Sequence, residues 1–316
     1  MEVISINHPH EINRETMPQI VMALGYFDGV HFGHQKVIST AKAIADEKGL
    51  QSAVMTFDPH PSVVLGRDIK HIEYITPLKD KIGIIASLGI DYLFIINFSR
   101  EFAHLLPQEF VDQYLIQFNV RHVVAGFDYS YGRMGKGTME TLPFHSREQF
   151  DFTVIPKLEN NDKKISSTLT RSYIRAGKME ELPLLLGRFY ITSGIVIHGD
   201  KRGRTIGFPT ANIGLDGDYI FPPLGVYCVR FKVMEKWYEG VCNVGIKPTF
   251  KNDAQTTPSI EVHIFAFDEE IYGQAATIEW HLYLRKEQKF SSIEELTTQI
   301  ENDKKAALEY FNKSSL

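Results

Sequence analysis

A parallel sheet flanked by helices, followed by a compact antiparallel β-barrel with one terminal helix, is the fold predicted by three observations. The chain is 316 residues long, too long for one ordinary core and suited to two domains of roughly 150 residues each. Its first half alternates short β-branched runs with helical patterns, whereas its second half is dominated by strand-like runs. Each half also carries one glycine-rich motif directly after a predicted strand.

In the first half, residues 20–24, 52–57, 92–98, 122–125 and 152–156 read as buried strands. Between several of them, residues 35–48, 78–88 and 108–118 place apolar side chains at helical spacing. This alternation predicts a parallel sheet whose ligands bind beyond the carboxyl ends of the strands. After Arg171 a helical stretch leads through Met179 and Leu186. Strand-like runs follow at 189–198, 226–234, 238–244, 260–267 and 276–284, and an amphipathic helix from 291 to about 311 ends the chain. The expected domains are 1–182 and 183–316, and no internal repeat relates them.

Composition narrows the function. With 43% hydrophobic and 23% charged residues the chain is that of a globular protein. Its net charge of -5, from 34 Lys and Arg against 39 Asp and Glu, opposes broad electrostatic binding to nucleic acid. Small molecules are the expected partners, anions included, because a helix N-terminus or a few fixed cations bind phosphate locally. Cys228 and Cys242 are too few for a disulfide framework or a Cys-rich zinc site. The first twenty residues lack the apolar core of a signal peptide. The richest apolar stretch, 82–98, is broken by Gly83, Gly89, Asp91 and Asn97, so no membrane span is expected. A cytoplasmic protein is the expectation.

The first motif, Gly25-Tyr-Phe-Asp-Gly-Val-His-Phe-Gly-His34, leaves the first strand and opens the first helix. Gly25, Gly29 and Gly33 allow a sharp turn and bring backbone N–H groups toward an anion. His31 and His34 share a helical face, where two imidazoles can donate to phosphate oxygens. A capped helix with two surface histidines gives the same bare pattern, but the order strand, Gly-rich turn, Asp28, His31, His34, helix favours the phosphate reading. Thr56-Phe-Asp-Pro-His-Pro61 offers Asp58 and His60 on a Pro-set loop, which a purely structural turn explains equally, and Gly126-Phe-Asp-Tyr-Ser-Tyr-Gly132 offers Asp128 beside aromatics that can meet a planar ring. Arg133 to Gly137 reads equally as a flap or as a simple surface loop. Ile165-Ser-Ser-Thr-Leu-Thr-Arg171 supplies the hydroxyls of Ser167 and Thr168, which ordinary helix capping also explains, and the permanent charge of Arg171, a candidate phosphate clamp.

The second motif, Gly199-Asp-Lys-Arg-Gly-Arg-Thr-Ile-Gly207, continues into Phe208-Pro-Thr-Ala-Asn212. It is not a Walker loop, yet Gly199, Gly203 and Gly207 with Lys201 and Arg204 suit polyphosphate. Thr210 and Asn212 alternate onto one side of an extended segment, as neutral Mg²⁺ ligands that need nucleotide phosphates and water to complete an octahedron. Glu261 and His263 share a strand face. A carboxylate at Glu261 can orient a hydroxyl and accept its proton late in phosphoryl transfer, although a solvated strand glutamate has the same pattern.

These motifs, in this order, resemble the bifunctional prokaryotic riboflavin kinase/FAD synthetase family over nearly the whole chain. The first half matches through GYFDGVHFGHQ, TFDPHP, AGFDYSYG and ISSTLTR. The second half matches through HGDKRGRTIGFPTANI, CNVGIKPTF, IEVHIFAFDEEIYG and LRKEQKF. The resemblance implies a Rossmann-like nucleotidyltransferase domain and a β-barrel kinase domain. The kinase half transfers the ATP γ-phosphoryl group to riboflavin, giving FMN, and the transferase half moves AMP from a second ATP to FMN, giving FAD and pyrophosphate.

Residue by residue, the resemblance gives Glu261, His31 and His34 catalytic roles. It matches Ser167, Thr168 and Arg171 to a second nucleotide motif in the first half, beside the phosphate contacts read above for Gly25, Asp28 and Gly33. In the second half it gives nucleotide or phosphate contacts to Gly199, Lys201, Gly203, Arg204, Gly207, Thr210 and Asn212, the last two with Mg²⁺. Asp58, Asp128 and Arg285 fall to the flavin. Self-association is left open. Two departures stand out: Leu169 where the family often carries Arg, and Ile246-Lys247 where Arg is common.

Overall fold

The computed structural model describes residues 1–66, 72–160, 163–199, 202–246 and 258–314. It divides into two compact units, Met1–Ser167 and Thr168–Leu316. The division falls earlier than the expected 182/183 boundary. The reason is local packing: Gly177 lies against Pro223 and Tyr283 of the second unit, and Met179 and Leu182 are buried beside it.

The first unit is built on β1 (Glu2–Ile6), β2 (Ile20–Leu24), β3 (Gln51–Asp58), β4 (Tyr92–Asn97), β5 (Val120–Gly126) and β6 (Asp151–Ile155). They form one sheet in the order β1-β4-β3-β2-β5-β6, every pair parallel. The central strands are covered on both faces, which is why they read as unbroken apolar runs. On β2, Met22 and Leu24 join one core with Phe94, Phe110 and Tyr114, while Val21 and Ala23 join the other with Ile38, Ala41 and Ile85. The second core is closed by helices α1 (Phe32–Lys48) and α2 (Leu78–Ser87).

Strand order reverses between β2 and β5: from β2 the chain moves to β3 on one side, and from β5 to β6 on the other. Such a switch opens a crevice beyond the carboxyl ends of the two strands. The segments leaving it here are Gly25–Val30 and Phe127–Gly132. The helix expected over 108–118 is present as Pro107–Phe110 continued by a π-helical turn, Val111–Ile116.

The second unit is a closed six-stranded antiparallel barrel, where the sequence suggests five strands. Its strands are β7 (Tyr190–Ile197), β8 (Ala211–Leu215), β9 (Gly225–Val233), β10 (Lys236–Ile246), β11 (Pro258–Ile264) and β12 (Ala275–Arg285). They close in the order β7-β8-β11-β10-β9-β12. The strand that sequence reading misses is β8, whose Ala-Asn-Ile-Gly-Leu has few β-forming side chains yet bridges β7 and β11. The terminal helix α4 (Ile293–Ser314) sets Ala307 and Phe311 on Val226, Cys228 and Val241. Helix α3 (Ser167–Arg175) precedes the barrel in the chain.

Trp280 is the largest fully buried side chain of the barrel; its indole donates to Thr192 at 3.1 Å and meets Tyr227 edge-on. Trp280→Ala is expected to destabilise the second unit by about 3–5 kcal/mol. Urea unfolding followed by a probe in that unit measures this; an unchanged midpoint would contradict the packing.

Candidate active sites

The first site grows out of a strained turn. Between Tyr26 and Val30 the backbone reverses with φ of 58° at Phe27, 83° at Gly29 and 40° at Val30. A β-branched residue such as valine adopts that region only when its surroundings impose it. Val30 is fully buried, its carbonyl accepts from the Gln35 amide at 2.8 Å, and its N–H donates to the Phe27 carbonyl at 3.2 Å. Gly25 has no space for a side chain, since a Cβ there would fall 2.7 Å from the Phe27 ring.

The turn delivers His31 to the cap of α1. Its Nδ1 accepts from the His34 backbone N–H at 3.3 Å. The neutral imidazole then carries its proton on Nε2, as a donor. The two imidazoles stack 3.6 Å apart, and Gly33 leaves room for the His31 ring. His34 packs edge-on against Phe27, and its Nδ1 is buried without a hydrogen-bond partner. Burial, with the charges of His31 and Lys81 added, holds His34 well below its ordinary value.

Gly25, His31, Gly33 and His34 line a cavity of about 570 Å³ together with Asp128 and Ser167. That volume is in the range of small-molecule sites. Its far wall is aromatic, with Phe57, Phe98, Phe127 and Tyr129. Asp128 is paired with Lys164 at 2.6 Å, and the Lys164 ammonium lies over the Phe127 ring. The pair is largely exposed, so it holds the rim only weakly.

Four of the expected contacts, Asp28, Asp58, Thr168 and Arg171, are not among the lining residues. Asp28 is buried off the cavity wall, where its carboxylate accepts the N–H groups of Thr76 at 3.0 Å and Ile75 at 3.4 Å. Its carbonyl accepts from the Ser167 hydroxyl at 2.9 Å, so Asp28 ties together three segments around the site. Asp58 is half-buried at the end of β3 and is also absent from the lining. Thr168 and Arg171 fall on α3 in the second compact unit, and of that motif Ser166 and Ser167 line the cavity.

The second site is a single rung across five barrel strands. Register pairs Asn212 with Glu261, Glu261 with Asn243, Asn243 with Val226 and Val226 with Arg285. Paired residues on neighbouring strands share a face. Glu261, Asn243, Val226 and Arg285 line a cavity of about 360 Å³ with Gly203 and Thr210. Asn212 is buried beside it, and a Cβ on Gly199 would fall 2.2 Å from its amide nitrogen, so only glycine fits there. A Cβ on Gly203 would meet the Phe208 carbonyl at 2.3 Å. Gly207 turns with φ of 85°. Arg204 lies in the short helix Arg202–Thr205 and is not among the lining residues; Lys201 lies outside the described residues.

Arg285 is held rather than loose. Its Nε and Nη2 donate to the two carboxylate oxygens of Asp303 on α4 at 2.8 and 2.7 Å, a forked pair with Asp303 buried. His263 lines the same cavity, its ring nitrogen 2.9 Å from the Pro209 carbonyl, which links the Glu261 strand to the segment before Thr210. Asn243, Asp303 and Glu287 belong to the second site and Lys81 and Lys164 to the first, and sequence reading names none of them. No local sequence signal marks Asn243, and Lys81, four residues before Ile85, has the ordinary look of a solvated lysine on an amphipathic helix.

Comparisons with known proteins divide along the same line. The FAD synthetase family matches residues 13–169, and the riboflavin kinase family matches residues 186–311. A bifunctional riboflavin kinase/FMN adenylyltransferase of Bacillus subtilis is 55% identical over 99% of both chains. The protein of the same description from Escherichia coli K12 is 33% identical over 96% of both. Among solved structures, a macrolide-efflux protein from Streptococcus pneumoniae is 33% identical with a TM-score of 0.86, covering 96% of this chain and 98% of its own. Among the described residues of this chain, no helix is long and apolar enough to cross a membrane.

Burial holds His10, His34 and His122 of the first unit below the ordinary histidine value. The folded unit keeps them neutral while the unfolded chain takes up protons below about pH 6.5. Their contribution is therefore complete above that pH and lost as pH falls toward the folded values. Thermal unfolding of the first unit between pH 8 and 5 is expected to show a Tm that declines below about 6.5; a Tm that stays level or rises would contradict the burial.

Proposed function

The chain belongs to the bifunctional riboflavin kinase/FMN adenylyltransferase family, and we propose that its two cavities divide the family's two reactions between them. The barrel cavity phosphorylates riboflavin, and the cavity at the sheet switch point adenylylates the FMN that results. One observation carries this assignment: each cavity lies wholly within one compact unit, the first lined by His31 and His34 and the second by Thr210 and Glu261.

In the barrel, Glu261 orients the riboflavin 5'-hydroxyl and accepts its proton as the oxygen bonds to the γ-phosphorus of ATP and the bond to ADP breaks. A carboxylate is a weak base toward an alcohol, but a loose transition state asks for little early deprotonation. Asn212 and Asn243 pair with Glu261 on either side in the rung and offer amide groups to the phosphates. The donors present suit Mg²⁺ brought by the nucleotide: the Thr210 hydroxyl and the Asn212 amide oxygen are neutral, and the bare backbone of Gly199 leaves Asn212 its space. The ion, when bound, neutralises phosphate charge. Arg285, forked on Asp303, forms the flavin side.

In the first cavity, a phosphate oxygen of FMN bonds to the α-phosphorus of a second ATP and pyrophosphate leaves. The Nε2–H of His31 and the neutral His34 ring donate to the phosphate oxygens whose charge shifts during transfer. Backbone N–H groups at the start of α1 add to the same field. The aromatic wall and Asp128 receive the flavin, with the Asp128–Lys164 pair opening to admit it. Asp28 acts through the loop at Thr76 and the Ser167 hydroxyl rather than on phosphate. A net charge of -5 and cavities of about 570 and 360 Å³ fit small-molecule substrates in the cytoplasm, with no nucleic-acid partner.

Glu261→Ala is expected to lower FMN formation from riboflavin by about 10²-fold or more while supplied FMN is still converted to FAD. His31→Ala is expected to do the reverse. Chromatography of both products from the intact chain with ATP and Mg²⁺ measures this; equal loss of both reactions in a folded variant would overturn the division.

A further inference from the structure

A buried lysine sits beneath the strained turn of the first site. Lys81, on α2, is only 2% exposed. Its ammonium donates to the Tyr26 carbonyl at 2.9 Å and stands 4.1 Å from the centre of the Tyr26 ring. The Thr56 hydroxyl, fully buried, donates to the same carbonyl at 2.8 Å. That carbonyl belongs to the peptide leading into Phe27, the first residue with positive φ. Two buried donors on one oxygen fix the plane of that peptide, and with it the direction in which the turn sets off toward His31.

We propose that Lys81 is a positioning residue for adenylyl transfer, holding the Tyr26 carbonyl so that the turn stays strained and supplying a buried positive charge beneath the nucleotide site. The proposal rests on the assignment of that reaction to the first cavity.

A lysine kept only for packing is readily replaced by an apolar side chain, because taking an ammonium out of water is costly. Here the cost is met by a carbonyl, a ring face and the charges of two carboxylates, Asp28 and Asp58, which act on Lys81 through space. Burial nonetheless pushes Lys81 down to about 8. Its charge in turn helps to keep His34 neutral. The groups facing this charge are Asp28, Asp58, His34 and Tyr26, with Tyr74 bonded to Tyr26. Burial raises Tyr26 far above its ordinary value, so it stays protonated through the range in which Lys81 titrates.

The test is a set of pH–rate profiles for both reactions on the intact chain, in the wild type, Lys81→Met and Lys81→Arg, with the His34 titration followed by NMR. In the wild type, FMN adenylylation falls as pH rises through about 8, a limb that riboflavin phosphorylation does not share. Lys81→Met loses on the order of 10²-fold in adenylylation near neutral pH, the scale of a small displacement near reacting groups. Its His34 titration moves up by a small step, because burial and His31 still hold it down, and its acid limb moves with it, while Lys81→Arg keeps the wild-type acid limb. A wild-type adenylylation profile level through pH 10 overturns the proposal, whether or not Lys81→Met folds. So does a folded Lys81→Met with the wild-type rate and an unmoved His34 titration. A wild-type chain that makes FMN but no FAD contradicts instead the assignment of adenylyl transfer to the first cavity.

Discussion

A short backbone reversal between Tyr26 and Val30 is the constraint on which the first half of the molecule depends. Three residues there hold positive φ, two of them not glycine, and such a conformation persists only where the surroundings over-determine it. The surroundings here are two apolar cores, one on each face of β2, with Leu24 in one and Phe27 and Val30 in the other. The Tyr26 carbonyl is pinned between them by Thr56 and Lys81. Burial energy from the sheet thus maintains a turn that would not persist alone. The turn in turn sets the stacked histidines at the end of α1, where the backbone amides point outward.

The barrel solves the corresponding problem without strain. Closure leaves no free edge among its six strands, so register alone decides which side chains meet. One rung carries Asn212, Glu261, Asn243, Val226 and Arg285 in succession, and a one-residue slip in β11 would turn Glu261 to the opposite face. Glycines at 199 and 203 bring the loop backbone close to that rung, and α4 closes its other end through the Arg285–Asp303 fork. One half therefore places its chemistry with a bent backbone and the other with strand pairing.

Much of this was legible in the sequence, for physical reasons. Strands covered on both faces read as apolar runs, as at 20–24 and 92–97, and α4 shows the stripe that ends on Ala307 and Phe311. β1 and β8 were not legible: one is a half-exposed edge strand, the other a Gly- and Asn-bearing segment ordered by its neighbours. Among site residues, His31, His34 and Glu261 stood out because spacing on one element places them. Pairings across distant segments leave no local trace. Lys164 reaches Asp128 across 36 positions, and Asp28 reaches the amide of Thr76 across 48. Lys81 was hidden for a different reason, since a lysine in an amphipathic pattern is ordinarily assigned to the solvated face.

Two phosphate chemistries in one chain leave different atoms of ATP in the product. The most direct measurement is to supply riboflavin with ATP labelled at the γ-phosphorus in one reaction and at the α-phosphorus in another, and to follow label into FMN and FAD. If the barrel cavity performs phosphoryl transfer and the sheet cavity adenylyl transfer, FMN carries the γ label alone and FAD carries both. Supplied with FMN, the chain carrying Glu261→Ala still takes the α label into FAD; FAD without that label, or FMN with it in the wild type, would contradict the division of labour between the two sites.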